Sequence, residues 1–276
     1  MNCGVALTGR YCANCSQAAD VHVPSTTELL HEALEGITHS DSRLWRTLYA
    51  LLFKPGKLTQ EFVAGRRAAY LPPFRLYLVV SVIFFLIASV SHPHGKFINF
   101  DDATSKVGSA EETCAAVNFT WLGRDLTPRA QHACLEMRRD SGASLLRVAI
   151  ATAPKAMFIF LPLVAFLHML LYWWPRHKYA EHLLFFLHLH AFFFTVMALI
   201  ILSEEAAATW PAASRLTHLV PLLGWSLPVY TVLAMKRVFG RSWKGTLLKA
   251  FALFVVYMLV FSLTVIAVFV YAGLQL

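Results

Sequence analysis

Charge is scarce in this chain. Asp, Glu, Lys and Arg make up 14% of 276 residues while 57% are hydrophobic, which excludes an ordinary soluble domain of average makeup. Acidic residues are scarcer still, 16 against 24 Lys and Arg, for a formal charge of +8. That excess could mark a nucleic-acid binder, but the basic residues cluster beside apolar segments, as membrane topology and anionic head groups require. No nucleic acid is expected as a partner; the lipid bilayer is. Residues 1–30 lack an apolar run behind a basic start, so no cleavable signal peptide is expected and the first spanning segment directs insertion. A helical HExxH motif is also lacking, as is any nucleophile–base constellation. Whether the chain is an enzyme is therefore left open.

What is abundant is apolar sequence in long runs. Five are long enough to cross a bilayer: from Pro72-Pro73-Phe74-Arg75 to about Ser91, Leu146 to Trp174, His182 to Leu202, Thr217 to Met235, and Gly245 to Tyr271. The fold class expected is all-α, a polytopic membrane protein. Lys and Arg number eight, two and five in the alternate segments read as inside, against six and one in the outside loops. The positive-inside rule then puts the N-terminus in the cytoplasm and the C-terminus outside. Residues 92–145 form a polar outside loop holding Cys114 and Cys134. In an oxidising compartment these are expected to pair, closing a loop of about twenty residues worth roughly 3 kcal/mol. Asn118-Phe119-Thr120 matches a glycosylation sequon by pattern alone.

The other three cysteines lie in residues 1–22, where Cys3, Cys12 and Cys15 follow a C-x8-C-x2-C pattern. Four thiolates surround a structural zinc ion tetrahedrally, and this pattern supplies three. A fourth at CxxC spacing would stand one position before Met1, so the reading frame is expected to begin upstream; His22 is a weaker substitute ligand. Zinc is the cofactor expected for the intact protein. Residues 23–71 read as cytoplasmic helices lying in the membrane interface. Ser25 and Glu28 form a capping box ahead of Leu29, Leu30, Ala33, Leu34 and Ile37. A second stripe, Leu44, Trp45, Leu48, Leu51 and Leu52, ends at the breaker Pro55-Gly56. Trp45, Tyr49 and Tyr70 suit head-group depth. A small soluble helical domain is the alternative reading. Residues 72–276 form the transmembrane domain.

Several pieces, in order, resemble a bacterial membrane-protein family known as domain of unknown function 3667. They are Gly9 to Gln17, Leu52 to Gly56 with Glu61 and Gly65-Arg66-Arg67, Pro73 to Tyr77, Tyr179 to Phe194, and Val238 to Ser242. The resemblance implies an N-terminal zinc-ribbon-like motif ahead of a helical membrane domain, and no activity. This chain departs from the pattern by lacking the first cysteine and by having Ser16 where the knuckle usually carries glycine.

The run Tyr179 to Phe194, YAEHLLFFLHLHAFFF, sets Glu181, His182, His188 and His190 in apolar sequence. Ionisable groups at that depth persist with a partner or a task. At 100° per residue Glu181 and His188 share a face and His190 points nearly opposite, so the four cannot close on one ion from one helix. His168 on the preceding span is the expected recruit, at the depth of His188. Three readings compete: interhelical hydrogen bonds, a metal or proton-relay site, and a cofactor or lipid site. The function expected is a membrane-embedded adaptor or assembly protein with a protein partner at its cytoplasmic N-terminus, in the bacterial inner membrane. The alternative is a transporter or metal-dependent membrane enzyme using the Glu/His site.

Overall fold

The structure, a computed structural model, describes residues 3–5, 9–14, 41–91, 110–121, 123–139, 142–172, 177–240 and 242–275. Five of its helices are long and apolar enough to cross a membrane: α3 (Pro73–Val90), α6 (Ala143–Leu171), α7 (Tyr179–Thr209), the segment Ala213–Phe239, and α9 (Trp243–Gln275). The fourth consists of a 3₁₀ turn, Pro211–His218, that runs into α8 (Leu219–Phe239). The stretch between the third and fourth expected spans, 203–216, is therefore mostly helical. The expected helix at Ser25 to Ile37, with its capping box, lies outside the described residues, as does His22.

The chain divides into two compact units. The first comprises Met1–Phe84 and Leu161–Tyr257. Its spine is α7, whose residues 184–192 are buried all round. A helix apolar on every face belongs in a core, and here Phe, Leu and His fill every direction. Phe192 stacks on Tyr230 of α8 at 3.6 Å between ring centroids, and Phe194 stacks on Phe84 of α3 at 4.9 Å.

Against this spine lie two short amphipathic helices, α1 (Asp41–Phe53) and α2 (Lys57–Val63). In α1 one side is buried through Thr47, Ala50 and Leu51, whereas Trp45, Tyr49 and Phe53, four residues apart, face outward. Trp45 belongs to this outer stripe rather than to the face expected from Leu44 and Leu51. The turn between the helices is fixed on α8. The Tyr230 hydroxyl donates to Leu51 O at 2.7 Å and the Arg237 guanidinium to Pro55 O at 2.7 Å. Gly56 has φ +72° and sits so close to Ala234 that an added Cβ would lie 2.8 Å from its carbonyl oxygen. After α2 the chain turns back, and Arg66 binds Glu61 through two hydrogen bonds of 2.7 and 2.9 Å. That guanidinium holds the Glu61 carboxyl below its ordinary value. The buried Thr47 hydroxyl accepts from Leu71 N–H at 2.9 Å, joining α1 to the chain that enters α3.

The second unit comprises Phe85–Phe160 and Met258–Leu276. Residues 92–145, expected to form a polar loop, contain among those described α4 (Ala110–Ala115), the two-residue strands β1 (Thr120–Trp121) and β2 (Arg124–Asp125), and α5 (Thr127–Arg139). Cys114 of α4 is disulfide-bonded to Cys134 of α5. The Gln131 amide adds hydrogen bonds to Ala115 O and Val117 O. Asp125 accepts from Thr127 at the start of α5, and these bonds hold its carboxyl below the ordinary value. Leu145 and Ala149 of α6 pack with Ala272 of α9.

Candidate functional site

Two histidines of the apolar helices meet where α6 ends and α7 begins. His168 Nδ1 lies 2.9 Å from His182 Nδ1, and both side chains are fully buried, at 0% exposure. The positions of the two helix ends explain the pairing. α6 ends at Leu171 and α7 starts at Tyr179, so each histidine stands three residues inside its helix and the two reach equal depth. The expected pairing of His168 with His188 is therefore a mistake of helix ends. It placed the end of α6 at Trp174 and the start of α7 at His182, three residues late at each. His188 lies six residues beyond His182, about 9 Å along the axis and about 120° around it.

Each of the remaining expected site residues has a different partner. Glu181 Oε2 accepts from the His177 ring at 2.8 Å, its partner being on the link rather than on the face of His188. His188 Nδ1 is 2.9 Å from the Thr59 hydroxyl of α2, and Phe62 packs against its ring. His190 is 2.9 Å from Phe186 O through Nδ1 and 3.2 Å from the Tyr257 hydroxyl of α9 through Nε2. The five candidate residues thus form four separate polar contacts and no common centre. Among the described residues no group of three or more His, Cys, Asp or Glu side chains is placed to hold a metal ion.

Sequence reasoning missed His177, Thr59, Tyr172, Phe239 and Lys249. Phe239, at the end of α8, packs its ring 5.1 Å from each of His168, His177 and His182 and 4.5 Å from Tyr172. The Lys249 ammonium lies over the Tyr172 ring at 4.0 Å and donates to Leu171 O, closing the last turn of α6. The link's basic character concealed His177, although its spacing of four from Glu181 is a legible helical pair. The Nε2 atoms of His168, His177 and His182 are buried and have no hydrogen-bond partner among the described residues, as does Nε2 of His188. Such an atom costs about 1–3 kcal/mol when left unsatisfied, so four of them in one protein call for a reason.

At the N-terminus Cys3 Sγ and Cys12 Sγ lie 3.5 Å apart, the first exposed and the second buried. Two thiolates on one tetrahedral zinc ion stand about 3.8 Å apart, from Zn–S bonds of about 2.3 Å. The two sulfurs fit such an ion as half of its donor set; Cys15 lies outside the described residues.

Residues 41–85 match the family model described as protein of unknown function DUF3667. The resemblance read from the sequence is thus shown over α1, α2 and most of α3, the part of the chain fixed on α7 and α8. No curated protein matches the chain, and no solved structure does.

Proposed function

We propose that this protein is a membrane-embedded adaptor or assembly protein of the bacterial inner membrane. Its N-terminus is cytoplasmic, its C-terminus outside, and a zinc ion is held by Cys3, Cys12 and Cys15 with a fourth ligand. One observation carries the reading: the α1–α2 hairpin is fastened to the membrane helices by directed contacts rather than resting on them through apolar burial alone. Thr59 to His188, Tyr230 to Leu51, Arg237 to Pro55 and the close seat of Gly56 on Ala234 all converge on one hairpin. This makes His188 an anchor, with its Nδ1 engaged by the hairpin. A hairpin fixed on the spanning helices gives a cysteine motif upstream of it an anchor at the bilayer, as recruitment of a partner requires. Lys and Arg counts support the orientation.

Complementation of a deletion strain tests this. A Cys12→Ser variant is expected to lose function and a photocrosslinkable residue at Tyr11 to capture one protein only when Cys12 is present. Zinc bound to the full-length protein is expected to vanish on removal of residues 1–22. Full complementation by the cysteine variant together with loss of function in His188→Ala at unchanged stability would reverse the reading, in favour of chemistry within the membrane.

A further inference from the structure

The outward side of α1 is built of large aromatic rings that the hairpin's own packing does not use. Trp45, Tyr49 and Phe53 are exposed to 72%, 54% and 68%, and the Tyr49 and Phe53 rings lie 5.4 Å apart between centroids. At about 100° per residue, half-buried Leu48 and Leu52 border this stripe on one edge and exposed Arg46 borders it on the other. Exposed Arg43 stands one turn before Arg46, and the Lys54 ammonium lies over the Tyr49 ring at 4.9 Å. Around the helix the side chains therefore pass from leucine through aromatic to cation. A bilayer passes in the same order from acyl chain through interface to phosphate. Residues 42–60 hold Arg43, Arg46, Lys54 and Lys57 and neither Asp nor Glu, so the face complements an anionic surface.

Two spanning helices fix the level of this face. α3 begins at Pro73, and the N–H of Leu71 just before it donates to Thr47 in the middle of α1. α8 ends at Phe239, and near that end Arg237 and Ala234 hold the turn at Pro55 and Gly56. These anchors lie within a turn and a half of a helix end, about 8 Å along the axis. In a chain of five successive spans, the start of the first and the end of the fourth lie on one side of the bilayer. α1 is thus held at the border of one leaflet, with its aromatic side turned away from the helices it packs on. Exposed rings in a row invite association in water, whereas at a membrane interface they are favourable.

We propose that the outer face of α1 binds anionic phospholipid. Trp45, Tyr49 and Phe53 sit at the level where acyl chains meet head groups, and Arg43, Arg46 and Lys54 engage the phosphates. The inference rests on the spanning helices and goes beyond the adaptor reading, which it neither needs nor tests.

The test uses the full chain, grown with fluorinated tryptophan, in nanodiscs of phosphatidylcholine and phosphatidylglycerol. The Trp45 fluorine signal is identified by its loss in Trp45→Phe. Head-group nitroxide labels on either lipid are expected to broaden that signal, and the anionic label more than the neutral one at equal amount. This preference is expected to fall about fivefold in each of Arg46→Gln and Lys54→Gln, the worth of one cation at a charged surface. Matching thermal unfolding of the variants separates the effect from loss of fold, and the comparison of labels in the unaltered cation set needs no variant. Equal broadening by the two labels, or a preference that both substitutions leave unchanged, would overturn the anionic-lipid site. So would broadening by a neutral water-soluble chelate in place of the lipid labels, which would put the stripe in water and open to a protein partner. Protection from lipid label and chelate alike would also overturn it, since another part of the chain or a second copy would then cover the face.

Discussion

Replacing Gly56 by alanine measures how firmly the α1–α2 hairpin is seated. Gly56 caps the start of α2 at φ +72°, a left-handed conformation that costs an L-residue about 1–2 kcal/mol. The new methyl would lie 2.8 Å from Ala234 O, 3.0 Å from Ala234 Cα and 3.1 Å from Val238 Cγ2. Two of these atoms are backbone of a spanning helix and cannot rotate aside, so overpacking adds about 1–3 kcal/mol. Gly56→Ala should therefore cost about 2–5 kcal/mol in all. Gly240 supplies the control: it has φ +59° at the end of α8, and an added Cβ would meet nothing within 4 Å. Gly240→Ala should show the conformational term alone, about 1–2 kcal/mol. Reversible unfolding of the detergent-solubilised protein by SDS, followed by tryptophan fluorescence, reads both. The difference between the two variants is the cost of prising the hairpin from α8. Equal costs for the two substitutions would refute the close seat of Gly56 on Ala234.

Acid should loosen the turn after α2. Arg66 lowers the Glu61 pKa from 4.5, and a carboxylate so lowered contributes stability that is present above its unfolded value and lost as pH falls through its folded one. Arg66→Ala should move the Glu61 titration back towards 4.5 in an NMR titration, and should remove the acid-induced rise in amide exchange at Gly65 and Arg66. Removing the disulfide between Cys114 and Cys134, which are 20 residues apart, should cost the second unit about 3 kcal/mol. A Cys114→Ser/Cys134→Ser pair should accordingly become sensitive to protease at 116–126 at lower denaturant concentration, and unchanged sensitivity would contradict it.

The spans were legible because their signal is local: a run of about twenty apolar residues needs no partner to be recognised. So was the pairing of Cys114 with Cys134, since no other cysteines share their loop. Helix ends were less legible, and the candidate site depended on them. Taking α6 to Trp174 and α7 from His182 moved His188 into the place that His182 holds. A shift of three residues is harmless to a count of spans, but it displaces a side chain by about 4.5 Å along the axis and most of a turn around it. The partners of His188 and His190 were not legible at all. Thr59 is 129 positions from His188 and Tyr257 is 67 from His190, and no periodicity connects positions that meet only through packing.

By itself, then, the sequence determined the membrane-spanning class, the five spans and the family resemblance over residues 41–85, because hydropathy and short motifs act within one segment. It also placed ionisable groups in α7 where a bilayer makes each one costly. Only the tertiary structure decided which of them meet. It assigned His188 to the hairpin, His190 to α9, and His182 with His168 to a buried pair beside His177 and Glu181. The reason is physical: a hydrogen bond depends on positions good to a few tenths of an ångström. Those positions are set by helix ends, crossing and rotation together.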